Sequence, residues 1–156
     1  MTYSGKSIWT KIASCFNGYK QAYIYLWISK DYKVIYVGQT NEKRGTFGRG
    51  YSHTQSKGTL RKRFEEEVGL KLEKAYDFVL VSYPLPQKQE YYSTESSYRE
   101  AVEYLVQTKL RDIRGNVEPN FNLISKVRYN DRVSDKNVQN CAEAIIDDFQ
   151  KNYSSS

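Results

Sequence analysis

Hydrophobic positions change their period several times along the chain, and each change marks an element. Residues 6–16 place Ile8, Ile12, Cys15 and Phe16 near helical spacing, which predicts a leading helix broken by Asn17-Gly18. Residues 22–29 are β-branched and aromatic, and residues 33–38 repeat that character after Ser29-Lys30-Asp31-Tyr32, so the pair reads as a β-hairpin. With that four-residue loop Tyr25 stands opposite Tyr36, and both hydroxyls project from one face. Residues 39–50 are polar and contain Gly45, Gly48 and Gly50, so they read as a loop, with a helix beginning near Arg49 or Tyr51. Leu60, Phe64 and Val68 align on a helix over 59–68, stopped by Gly69. A third strand is expected over 76–83, ended by Pro84 and Pro86.

The second half is helical in pattern. Residues 94–113, behind a Ser93 or Thr94 cap, carry the apolar stripe Tyr98, Val102, Leu105, Val106, Leu110 and Ile113; Gly115 and Pro119 end it. Residues 135–150 repeat the pattern through Val138, Cys141, Ala142, Ile145, Ile146 and Phe149, behind a Ser134 or Asp135 cap. The order predicts an α/β (α+β) fold: a small three-stranded antiparallel sheet flanked by helices, in one domain over 1–156. No apolar run approaches the ~18 residues of a membrane span, so no membrane partner is expected.

Composition narrows the chemistry. Two cysteines, Cys15 and Cys141, and one histidine, His53, are too few for a Cys/His zinc site with its roughly four ligands. Any hydrolase with a histidine base would have to use His53. The low cysteine content fits a cytoplasmic protein. Charge is uneven. Residues 1–63 hold 12 Lys/Arg against the two acids Asp31 and Glu42, whereas residues 64–156 hold 12 against 16. The basic first part suggests a polyanionic partner, nucleic acid being the commonest. A plain solvated basic surface meets the charge pattern equally well. The 15 tyrosines can stack on bases or donate to phosphates, although most are expected to pack the sheet.

One set of residues stands out by order and spacing. Tyr23-Ile24-Tyr25 lies on the first strand, and Tyr36-Val37-Gly38 follows on the second. Arg49 and His53 come next at i,i+4, a glutamate lies on the long helix, and Pro119-Asn120-Phe121-Asn122 follows it. This set resembles the GIY-YIG nuclease family over residues 22–122, leaving residues 1–21 and 123–156 as N- and C-terminal extensions, the latter with a helix. Tyr23 replaces the first glycine of the family's pattern and Val37 its second isoleucine.

The resemblance implies a metal-dependent endonuclease that hydrolyses DNA phosphodiester bonds. It implies Mg2+ or Mn2+ on a helix glutamate, a phosphate clamp from an arginine, and a general base and an orienting group from Tyr25 and Tyr36. His53 would assist proton transfer or bind phosphate, and Asn122 would tie the site together by hydrogen bonds. Arg49 is preferred to Arg63 because Arg49 keeps a histidine four residues on, where Arg63 has Glu67. Arg61, Lys62 and Arg63 are then candidate phosphate contacts, or a solvated helix face. Glu103 borders the apolar stripe and precedes Leu105-Val106, so it is preferred to Glu95 as metal ligand; Glu100 points away from the stripe. With no separate DNA-binding domain, the two extensions or a homodimer would supply recognition. That compact layout favours a restriction-type or phage-type nuclease over a modular homing enzyme, with mobile-element and repair roles also open. Two alternatives stand: a non-catalytic nucleic-acid-binding module on the same fold, and a basic α/β domain that meets a protein partner.

Overall fold

Alternation along the first two strands gives the molecule its layers. The computed structural model describes residues 5–9, 11, 15–126 and 128–154. Strands β1 (Tyr23–Ser29) and β2 (Val34–Thr40) form the hairpin. One face of it carries Tyr23, Tyr25 and Trp27 with Val34, Tyr36 and Gly38; the other carries Ile24, Leu26 and Ile28 with Ile35 and Val37. Strand β3 (Val79–Pro84) pairs antiparallel with the outer edge of β1. A two-residue strand, β4 (Asn122–Leu123), pairs parallel with the start of β2.

The sheet therefore has four strands in the order β3-β1-β2-β4, with one parallel pair, and not the three antiparallel strands expected. The mixed α/β class holds. The extra strand is too short to leave a pattern; it exists because the backbone N–H groups of Asn122 and Ile124 donate to the carbonyls of Lys33 and Ile35.

The hairpin register also differs. The turn begins one residue later than expected, and Lys33 closes it with a positive φ of 55°. Tyr25 consequently faces Gly38, and Tyr36 faces Trp27. Because the slip is by two positions, Tyr25 and Tyr36 keep a common face.

Helices cover both faces. Helices α1 (Gly45–Thr54) and α2 (Thr59–Val68) lie on the tyrosine face. Leu60 and Phe64 of α2 are buried there with Tyr25, Val34, Tyr36 and Ile124. Helix α1 starts at Gly45, within the segment expected to be a loop. Its glycines serve close packing: Gly45 has φ +66° and sits where a Cβ would lie 2.2 Å from the Cys15 carbonyl oxygen, and Gly50 packs on the Trp27 ring.

Helices α4 (Ser97–Ile113) and α5 (Lys136–Tyr153) cover the aliphatic face, with a four-residue turn of helix, α3 (Gln89–Tyr92), before them. Val102, Val106 and Leu110 pack there with Ile24, Leu26, Val37 and, from α5, Val138, Ile145 and Phe149. The C-terminal extension thus belongs to the same core. The Asp135 cap of α5 forms as expected, its carboxylate accepting from the N–H groups of Asn137 and Val138. Helix α4 begins three residues late, where Glu95 rather than a Ser93 or Thr94 hydroxyl takes the Ser97 N–H.

The expected leading helix falls partly outside the described residues, since residues 10 and 12–14 are not among them; residues 5–9 and 11 carry no regular element. Tyr23 is buried, and its hydroxyl donates to the Asn17 carbonyl. Among the described residues no helix is long and apolar enough to cross a membrane.

Candidate active site

Strand β4 covers only the first two residues of β2, and this leaves the rest of that edge open. Beyond Ile35 the next inward-facing donor, Val37 N–H, finds the Ser125 hydroxyl at 3.1 Å instead of a strand. A cleft of about 330 Å³ opens there. Because it lies across an edge, it is reached from both faces of the sheet. Tyr25, Tyr36 and Arg49 enter from the α1 side with Thr59 and Arg63 of α2; Glu100, Glu103 and Gln107 enter from α4. Residues 125–130 form the remaining wall, through Ser125, Lys126, Arg128, Tyr129 and Asn130.

The two phenols are held from below by His53. The imidazole is 2% exposed, and its centroid lies 5.5 Å from the Tyr25 ring and 5.1 Å from the Tyr36 ring. Its Nδ1 accepts from the backbone N–H of Leu60 at 3.3 Å, so the side chain satisfies one of the free donors at the start of α2. With Nδ1 accepting, the neutral ring carries its proton on Nε2, which lies 2.5 Å from the Tyr25 hydroxyl oxygen and donates to it. Burial, reinforced by the Arg49 charge, lowers the His53 pKa to about 4, so the ring is neutral at pH 7.

Glycine is required opposite Tyr25. A Cβ on Gly38 would stand 2.3 Å from both Cζ and the hydroxyl oxygen of Tyr25, so the phenol lies directly across the glycine. Burial raises the pKa of Tyr25, and neighbouring Tyr36 adds to the shift, whereas Arg49 opposes it by charge and by hydrogen bonding. Burial also raises Tyr36, with Glu103 adding and Arg49 and Arg63 opposing. Each phenol thus has a guanidinium placed to favour its ionised form.

Glu103 is partly buried and has no ion pair among the described residues. Its pKa is pushed up to about 8, first by burial and then by the Glu100 charge, against Arg128 and Arg49. Burial chiefly disfavours the ionised carboxylate in that position. No group of three or more His, Cys, Asp or Glu side chains gathers among the described residues. A fully protein-ligated metal centre is therefore not formed by them. The Glu103 carboxylate, beside a buried Gln107 amide oxygen that has no partner among the described residues, suits a hard cation that keeps most of its water.

The structure brings Tyr25, Tyr36, Arg49, Arg63 and Glu103 together, and both candidate arginines line the same cleft. Arg63 Nε is buried with no hydrogen-bond partner among the described residues. Other expected positions fall elsewhere. His53 does not line the cleft and is too buried to meet a phosphate; it supports Tyr25 instead. Arg61 turns away into an ion-pair cluster, 3.0 Å from Glu65 and 2.5 Å from Glu73, and its Nε donates to the Thr54 carbonyl. Lys62 is exposed beside Glu65 and Glu66. Glu95 is exposed at the head of α4, where accepting the Ser97 N–H lowers its pKa. Asn122 is exposed on β4 at the far end of β2, because the parallel pairing anchors it beside Val34. No model of a protein family, no curated protein and no solved structure matches this chain.

Sequence reasoning missed Gln107, Ser125, Lys126 and Arg128. One signal was present for Gln107: it stands one helical turn after Glu103, polar at a fully buried position between Val106 and Leu110. The basic pair on the 125–130 wall had none, since its place depends on where the chain goes after β4.

Proposed function

We propose that the protein is a divalent-cation-dependent endonuclease that hydrolyses DNA phosphodiester bonds. One observation carries the reading: two phenols, two guanidinium groups without ion pairs among the described residues, and the partly buried Glu103 carboxylate line a single 330 Å³ cleft. The likeness of the Tyr23-Ile24-Tyr25, Tyr36-Val37-Gly38 and Arg49–His53 pattern to GIY-YIG nucleases supports it independently.

Each residue has a role its chemistry suits. Arg49 and Arg63 offer forked, permanently charged donors for phosphate oxygens, and they stabilise the extra charge that develops on water attack. Tyr25 is the general base. Its oxygen accepts from His53 Nε2, and the Arg49 charge offsets part of the burial that raises its pKa. Tyr36, between Glu103 and the arginines, orients the attacked phosphate or the water. Glu103 would hold Mg2+ or Mn2+, which when bound supplies charge neutralisation and Lewis acidity at the phosphate. Lys126 and Arg128 extend the basic wall toward neighbouring phosphates.

That same basic wall favours a second reading, a nucleic-acid-binding module without catalysis. Incubation with supercoiled plasmid and Mg2+ or Mn2+, with EDTA as control, separates the two. Nicked or linear product that disappears with EDTA is the expected result. Salt-sensitive binding with intact plasmid, across metals, pH values and DNA sequences, leaves the module and overturns the enzyme.

A further inference from the structure

Gln107 is 0% exposed, yet it lines the cleft beside Glu103. Its Nε2 donates to the Ser125 hydroxyl at 3.2 Å and to the Lys126 carbonyl at 3.2 Å, and lies 3.5 Å from Glu103 Oε1. Its Oε1 is buried and has no partner among the described residues. The amide cannot be turned over. Lys126 O and the Glu103 carboxylate are both acceptors, so reversal would set three acceptors against one another. An orphaned, buried acceptor costs about 1–3 kcal/mol unless a donor meets it. The nitrogen, meanwhile, joins three elements: α4 through Glu103, the 125–130 wall through Ser125 and Lys126, and β2 through the Val37 N–H on the same Ser125 hydroxyl.

We propose that Gln107 is a positioning residue of the cation site: its amide nitrogen, anchored on Ser125 and the Lys126 carbonyl, holds the side chain beside the Glu103 carboxylate, and its carbonyl oxygen accepts a hydrogen bond from water held by the cation. The inference rests on the proposed function, through Glu103 as the cation's ligand. A cation that keeps its water presents strongly polarised O–H donors, which is what a fixed, unmet acceptor beside the Glu103 carboxylate would receive.

The test is Mn2+ binding to the full chain without DNA, read by electron paramagnetic resonance titration and by calorimetry. The wild type binds Mn2+, and Glu103→Gln abolishes binding. Gln107→Met, which keeps volume and removes the amide, weakens affinity about tenfold or more, as loss of a hydrogen-bonding partner around a metal site does. Ser125→Ala, which frees the amide from one anchor, weakens it less. Wild-type affinity in both Gln107→Met and Ser125→Ala overturns the inference and leaves Glu103 in place. No binding to the wild type overturns the cation assignment itself, and the inference with it. Should Gln107→Met fail to fold, Ser125→Ala decides: unchanged affinity refutes, and weakened affinity supports.

Discussion

Gly38→Ala tests the geometry that sets Tyr25 in the cleft. The added carbon would stand 2.3 Å from Tyr25 Cζ and its hydroxyl oxygen, where ordinary contact begins at 3.4 Å. The ring must therefore move by about 1 Å, since the backbone on both sides is held in the β1–β2 ladder. That displacement stretches the 2.5 Å contact with His53 to the edge of hydrogen-bonding range. Overpacking of about 1–3 kcal/mol plus a lost hydrogen bond of about 1 kcal/mol gives a destabilisation near 3 kcal/mol, or roughly 6–12 °C in Tm. Under the proposed function a base misplaced by 1 Å slows plasmid cleavage on the order of 100-fold. Thermal melting and cleavage rates measure both effects. The decisive arm is the double variant. In a Tyr25→Ala background the new methyl enters vacated space, so its cost should vanish or reverse, giving a coupling of about 2–3 kcal/mol. Equal costs for Gly38→Ala with and without the Tyr25 ring would refute the reasoning.

His53 has a folded pKa of about 4, below its unfolded value near 6.5, so its contribution to stability is complete above pH 6.5 and lost as pH falls through 4. That loss is about 3 kcal/mol, and denaturant titrations from pH 7 to 4 should show it in the wild type but not in His53→Gln. Glu103 is shifted the other way, its carboxylate being disfavoured by folding, so stability falls as pH rises from 4.5 towards 8. Glu103→Gln should abolish cleavage yet be more stable than the wild type at pH 9, by roughly 2 kcal/mol in urea melts. Arg63→Ala and Arg49→Ala should each lose cleavage while keeping most DNA binding in a gel-shift assay. Arg61→Ala should instead keep cleavage and lower Tm only slightly, since its ion pairs to Glu65 and Glu73 lie at the surface. Normal cutting by Arg63→Ala would return the phosphate clamp to Arg49 alone.

Much of the candidate site was legible because its members sit on locally patterned elements. Tyr25 and Tyr36 lie on strands, where alternation assigns a face, and Glu103 borders a helical stripe whose period assigns its side. Even the register error left the two phenols together, since a slip of two positions preserves the face. What misled was the glycine-rich stretch. Gly45 and Gly50 break helices in isolation, yet here they let α1 lie close against Cys15 and Trp27. His53 was legible as a partner of Arg49 but not as a buried prop, because burial depends on α2 folding over it and donating the Leu60 N–H.

Local chemistry along the chain was enough to establish the hairpin, the amphipathic helices, the basic first part and the reactive residue types. These rest on contacts within a few positions, and periodicity records them. The contents of the cleft required packing. Asn122 left and Gln107, Lys126 and Arg128 arrived because two residues of β4 pair with β2 and then stop, sending the following segment across an open strand edge toward α4. Such an arrangement is fixed by backbone hydrogen bonds between segments some ninety residues apart, as between Asn122 and Lys33, and no local period encodes it.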